Sequence, residues 1–208
     1  MNPVYIVDSI RTPRARANKK GGLNKLNPYE LLDFLYKDIE QKKFLQLSSI
    51  DEVILGCVTQ YGEQAGNIAK SSALFSGYPD SISGLTVNRF CSSSLDAINL
   101  GYLKVQSQQA DNVLAGGVEM MSRVPMLSDD AAIWNDINIA GQAKIFFMGS
   151  GADLIASLFK MSRDDVDRQA LKSQENALNA QKNNYFKSII PVINKSKSIN
   201  CIHDECLR

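Results

Sequence analysis

Residues 86–98 read Thr-Val-Asn-Arg-Phe-Cys-Ser-Ser-Ser-Leu-Asp-Ala-Ile, which sets a cysteine where a strand gives way to the first turn of a helix. A thiol there faces the helix's unpaired N–H groups and the positive end of its dipole. Both favour the thiolate, the form of sulfur that attacks carbonyls. Cys91 is therefore the candidate nucleophile, although a cysteine in such a place is more often a packed thiol, and position alone leaves both readings open. The other cysteines, Cys57, Cys201 and Cys206, are too dispersed to read with Cys91 as a disulfide framework in a chain of 208 residues. The single histidine, His203, lies in Cys201-Ile202-His203-Asp204-Glu205-Cys206. Cysteine and histidine at that spacing can hold zinc, but here they lack a fourth ligand and a scaffold, so the segment reads as a solvated tail. The basic run Arg11, Arg14, Arg16, Lys19 and Lys20 could meet phosphates, and it reads by default as a solvated loop.

Positioning such a thiol requires a strand before it and a helix after it, and the surrounding pattern supplies both. Val4 to Asp8 predicts a first strand. Asn27 as N-cap, Pro28 at the first helical position and Glu30 at N3 open a helix that carries Leu31, Leu35 and Ile39. Val53 to Val58 reads as a buried strand, Asn67 to Phe75 as a helix closed by Gly77, and Thr86 to Arg89 as a third strand. Leu95, Ile98, Tyr102 and Val105 recur at three- and four-residue steps, which predicts a helix buried along that face. Asn112 to Val118 is a fourth strand. This alternation predicts a layered α/β domain with a mostly parallel sheet and helices on both faces. After Glu119 the period is lost for about thirty residues. Ser162 with Asp165 then caps a polar helix running toward Asn183, and Ile189 to Ile193, interrupted by Pro191, reads as an edge strand.

Composition limits the partners. A formal charge of +1 gives no reason to expect nucleic acid or a membrane surface, and no apolar run is long enough to span a bilayer. With a strand expected from Val4 there is no room for a signal peptide, so a cytoplasmic location is expected.

The Cys91 segment resembles the nucleophile segment of the thiolases, the acyl-CoA acyltransferases that make or cleave 3-ketoacyl-CoA. Arg11-Thr12-Pro13, Gly56 with Gln64 to Lys70, Gly116-Gly117-Val118-Glu119-Met120-Met121-Ser122-Arg123-Val124-Pro125-Met126, Met148-Gly149, Ser162-Arg163 and Asp204-Glu205 extend the likeness over nearly the whole chain. The Gly116 to Met126 segment separates it from the related ketoacyl synthases. The resemblance implies the layered thiolase fold, with residues 1–119 as the first part of the N-terminal domain, 120–160 as the loop region, and 161–208 as a helix and edge strand completing that domain. It also implies a transferase of fatty acid metabolism or beta-oxidation that takes an acyl group onto Cys91, with the Cys91 N–H as one oxyanion donor and Met148 beside the pantetheine arm. CoA and acyl-CoA are then substrates, no metal or organic cofactor is implied, and relatives assemble as dimers and tetramers.

The sequence departs from the family in what it lacks. A complete thiolase has a second half bearing a Gly-His-Pro histidine, an asparagine motif and a second cysteine, and none is present; His203 is flanked by neither glycine nor proline. Ser94 stands where the family usually has glycine, and Phe147 where many relatives have histidine. Three readings follow: an acyltransferase represented by its N-terminal half, one half of a split enzyme whose other half is a separate polypeptide, or a catalytically incompetent binding or assembly module.

Overall fold

The computed structural model describes residues 3–42 and 46–207. These form two compact units, one made of the described residues up to 128 together with 188–206, and one made of residues 129–187 with residue 207. The helix after Ser162 falls in the second unit, and the strand that follows Pro191 falls in the first.

The first unit is built on three parallel strands, β1 (Glu52–Gly56), β2 (Ser83–Val87) and β3 (Val113–Gly117), in the order β2-β1-β3. Glu52 pairs with Ser83 on one side and Val113 on the other. All five residues of the central strand are buried, as expected of a strand covered on both faces. Helix α2 (Ile68–Phe75) joins β1 to β2 and helix α3 (Ser93–Gln106) joins β2 to β3. Because these right-handed crossovers run in opposite directions across the sheet, the two helices lie on opposite faces. Val53 and Leu55 meet Ile68, Ala69 and Ala73 of α2, with Leu32 and Tyr36 of helix α1 (Pro28–Gln41) in the same cluster. The α1 cap forms as predicted: Asn27 Oδ1 accepts the Glu30 N–H at 2.9 Å and Glu30 Oε2 accepts the Asn27 N–H at 2.9 Å.

Three expectations change. Val4 to Asp8 makes no strand ladder, and Tyr5, Ile6 and Val7 are largely exposed. A strand needs a partner, and Val4 to Asp8 is paired with none among the described residues. The apolar stripe of α3 faces outward, with Leu95 59%, Ile98 45% and Tyr102 47% exposed, while the buried face is Ser93, Ala97 and Gly101. Periodicity identified the helix but could not say which of its two apolar faces meets the sheet; the small residues do, because they permit closer contact. Finally, the segment read as a solvated tail is built in. Strands β4 (Val192–Asn194) and β5 (Ile199–Cys201) form an antiparallel pair whose Val192, Ile199 and Cys201 pack with Leu23, Leu26 and Met120. Asp204 accepts two bonds from the Arg11 guanidinium, at 2.7 and 2.8 Å, and one from the Arg14 N–H at 2.8 Å. Glu205 accepts the N–H groups of Arg16 and Gly22. The basic loop is thereby tied to the acidic C-terminal segment.

The second unit contains α4 (Ala132–Asn135), α5 (Ile137–Gln142), α6 (Met148–Leu158) and α7 (Arg163–Lys182). The Ser162–Asp165 capping box is present. None of the described residues of these helices is buried, so their apolar side chains do not close over a core of their own. No described helix is long and apolar enough to cross a membrane.

Two outcomes are expected. The Arg11 guanidinium holds the Asp204 carboxyl below the usual carboxylate range. A lowered native pKa contributes stability above the unfolded value, near 4, that is lost as pH falls through the native one. Asp204→Asn should cost about 1–2 kcal/mol in urea unfolding at pH 7, in the lower part of the range for charge-assisted bonds because the Arg11 side chain is 36% exposed. The difference should shrink toward about pH 3; an equal cost at both pH values would contradict the ion-pair account. Second, the open α3 stripe and the exposed Tyr5–Val7 segment should drive self-association, and light scattering at micromolar concentration should give a dimer or larger, against which a stable monomer would count.

Candidate active site

The connections leaving the adjacent carboxyl ends of β1 and β2 run to opposite faces of the sheet, a topological switch point of the kind at which open α/β sheets place their sites. Cys91 lies there, in the turn between Val87 and Ser93, two residues ahead of the first helical residue of α3. Its side chain is exposed. The turn is fixed by short bonds on both sides of the sulfur. Phe90 adopts a left-handed φ of 47°, uncommon outside glycine, and its N–H donates to Asn88 Oδ1 at 2.8 Å. The buried Ser93 hydroxyl accepts the Arg89 N–H at 2.8 Å and donates to the Phe90 carbonyl at 2.6 Å. Ser92 is the N-cap, and its N–H donates to the Arg89 carbonyl at 3.0 Å. Arg89 and Asp96 form an ion pair across the mouth of the turn.

Helix α3 seats this turn on two glycines. A Cβ at Gly56 would overlap the Ser93 backbone, and one at Gly117 would overlap the Ser94 hydroxyl. The side chain that Ser94 adds is thus accommodated by the bare backbone of β3. Further along α3, a Cβ at Gly101 would come within 3.2 Å of Val113 Cγ1.

Behind the turn lies a second layer that the sequence reading did not assign. The Glu119 carboxylate accepts the Val58 N–H at 2.7 Å and the Thr59 N–H at 3.3 Å. Gln64, fully buried, donates from Nε2 to Glu119 at 2.8 Å and to the Thr59 carbonyl at 2.9 Å, and accepts the Met120 N–H at 2.6 Å. Burial pushes the neighbouring Cys57 thiol up to about 12, with the Glu119 charge adding to the effect and a contact from Gln64 opposing it. Cys57 is thus a structural thiol. The signals for Asn88 and Glu119 were present, as an asparagine three residues before the cysteine and a carboxylate two residues after the Gly116-Gly117 pair. Neither identifies its partner until the strands are in register.

Met148, the other residue expected at the site, is the first residue of α6 in the second unit, 71% exposed, with Phe147 as the N-cap. In the same unit a cavity of about 360 Å³ is lined by Trp134, Ile137, Phe146, Phe147 and Ser150, among others.

These features define a doubly wound α/β domain that presents one exposed cysteine at its switch point. Residues 4–208 match the family described as thiolase, N-terminal domain. The chain is 36% identical to the beta-ketoadipyl-CoA thiolase of Pseudomonas knackmussii, over 97% of this chain and 54% of that protein. It is 34% identical to the 3-oxoadipyl-CoA/3-oxo-5,6-dehydrosuberyl-CoA thiolase of Escherichia coli K12, over 100% of this chain and 57% of that one. The crystal structure of the Bacillus anthracis acetyl-CoA acetyltransferase superposes with a TM-score of 0.81 at 28% identity, covering 98% of this chain and 54% of the other. The chain belongs to the thiolase family, and it spans about half the length of these relatives.

In the native protein at neutral pH, limiting iodoacetamide with peptide mapping should label Cys91 and Cys206, which are exposed, and spare Cys57 and Cys201, which are buried. Burial raises the Cys57 thiol to about 12 and the Cys201 thiol to about 11, so both stay as unreactive thiols. Labelling of Cys57 ahead of Cys91 would contradict the site.

Proposed function

We propose that this chain is the nucleophile-bearing half of a thiolase-type acyl-CoA acyltransferase. The observation that supports the reading best is the exposed Cys91 at the switch point, in a turn whose backbone is held on both sides of the sulfur. In the proposed reaction the Cys91 thiolate attacks the carbonyl carbon of an acyl-CoA thioester, and the Cys91 N–H is one donor to the tetrahedral oxyanion. Collapse breaks the bond to the CoA sulfur, which leaves with a proton from a general acid, and an S-acyl-cysteine remains. That acyl group passes to the enolate of acetyl-CoA in synthesis, or is produced from a 3-ketoacyl-CoA and returned to free CoA in thiolysis. CoA and its thioesters are the partners, no further cofactor is invoked, and Met148 is the proposed contact to the pantetheine arm. Fatty acid metabolism or beta-oxidation, a homo-oligomer and a cytoplasmic setting complete the proposal.

The proton-handling groups for a full cycle are not in this sequence, whose single histidine, His203, is an exposed residue after β5. A second reading, an assembly module or one half of a split enzyme, is favoured by the exposed stripe Leu95, Ile98 and Tyr102 on the helix that carries the site. Intact mass measurement after incubation with acetyl-CoA should show slow addition of one acetyl group, absent in Cys91→Ala. Cleavage of acetoacetyl-CoA by CoA should be at or below detection. Losing one oxyanion donor costs about 10²–10³ in rate, and losing an acid–base group roughly 10²–10⁴. A second polypeptide carrying the histidine and second cysteine should restore cleavage if the chain is one half of a split enzyme. Absence of acetylation in the wild type would leave the module reading in its place.

A further inference from the structure

We infer that Asn88 and Glu119 are positioning residues that set the backbone of the Cys91 turn through one continuous chain of hydrogen bonds. The inference rests on the reading of Cys91 as nucleophile. The chain begins at the end of β3, where the Glu119 carboxylate takes the Val58 and Thr59 N–H groups and so fixes the loop that follows β1. Gln64 locks the same carboxylate from the buried side. With its N–H held, Val58 turns its carbonyl to Asn88, whose Nδ2 donates to it at 3.2 Å. The amide of Asn88 is thereby oriented, and its Oδ1 receives the Phe90 N–H at 2.8 Å. Phe90 is the residue that must hold a left-handed φ, and Cys91 is the next residue.

Several features show that this is more than a set of separate loop bonds. Asn88 is exposed, so burial does not dictate its orientation; its two bonds do. An amide is the one side-chain group of this length that both donates to Val58 and accepts from Phe90. Aspartate would keep the acceptor and lose the donor, and alanine would lose both. The far end of the chain is also charged: a carboxylate that accepts three N–H groups gives stronger bonds than a neutral acceptor would. The carboxyl ends of all three strands are therefore tied together at the Cys91 turn, β3 through Glu119, β1 through Val58 and β2 through Asn88.

The test is a double-mutant cycle on the full chain with Asn88→Ala, Glu119→Gln and both together, with Asn88→Asp as the conservative variant. Two readouts are taken: the rate of Cys91 acetylation by acetyl-CoA, and hydrogen exchange of the peptide covering residues 87–95. Asn88→Ala should slow acetylation about tenfold to a hundredfold, the scale set by an ångström-sized misplacement of a reacting group, and should speed exchange at Phe90. The buried Cys201 should stay protected from iodoacetamide, as a control for global unfolding. Glu119→Gln should move both readouts in the same direction, and the double variant should be no worse than Asn88→Ala, because the two act in series. Asn88→Asp should recover protection at Phe90 while remaining insensitive to Glu119→Gln. Effects of the two substitutions that simply add, or an Asn88→Ala protein with wild-type acetylation and exchange, would overturn the inference. If the wild type is not acetylated at all, the proposed function fails while the exchange cycle still decides the positioning claim.

Discussion

Close contact between the first turn of α3 and the bare backbone of Gly56 and Gly117 is the constraint on which the site depends. With no side chain on either strand beneath it, the helix end drops onto the sheet, and Ser93 becomes buried enough to bond the turn on both sides of Cys91. Ala97 and Gly101 continue the same small-residue face toward β3. A helix that approaches this closely exchanges the large apolar burial of an ordinary α/β helix for placement of its N-terminus. The exposed Leu95, Ile98 and Tyr102 are the other side of that exchange. Interior packing tolerates little added volume, so the position of the cysteine is determined by what the strands lack.

Electrostatics supports the same geometry. The loop after β1 would leave the Val58 and Thr59 N–H groups without strand partners, and one carboxylate satisfies both while Gln64 satisfies it in turn. The neighbouring Cys57 thiol, buried and beside this charge, is held in its neutral form. Two cysteines on adjacent strand ends are thus given opposite environments, one closed and one open to solvent.

Much of this was legible in the sequence. Asn27-Pro28 with Glu30, and Ser162 with Asp165, identified two helix starts because capping is a local interaction read from a few neighbouring residues. The alternation of elements identified the parallel sheet, and the junction at Cys91 identified the turn. What was not legible depends on contacts between residues distant in sequence. The stripe on α3 was recognised but assigned to the wrong face, since a period of 3.6 says where apolar residues lie and not what they touch. Val4 to Asp8 has strand composition without a strand ladder, because pairing belongs to a sheet and not to a segment. The Cys201 to Cys206 segment looked solvated because its anchors, Arg11 and the Arg16 and Gly22 N–H groups, lie more than 180 residues away.

The two faces of α3 also divide the requirements of the proposed chemistry. A thioester on Cys91 needs a fixed sulfur and a local environment that excludes water, and the first of these is met within this unit by the glycine seat and the Asn88 bonds. The second is not met there, since Cys91, Phe90 and Leu95 are all exposed. Electrostatic stabilisation of a developing oxyanion is strongest where solvent is removed. The side chains that would be covered to remove it, Leu95 and Ile98, stand on the same helix one and two turns beyond the cysteine. Whatever covers that stripe would therefore gain hydrophobic contact area and desolvate the nucleophile in a single step, so that on this reading association and chemical competence are coupled through one helix.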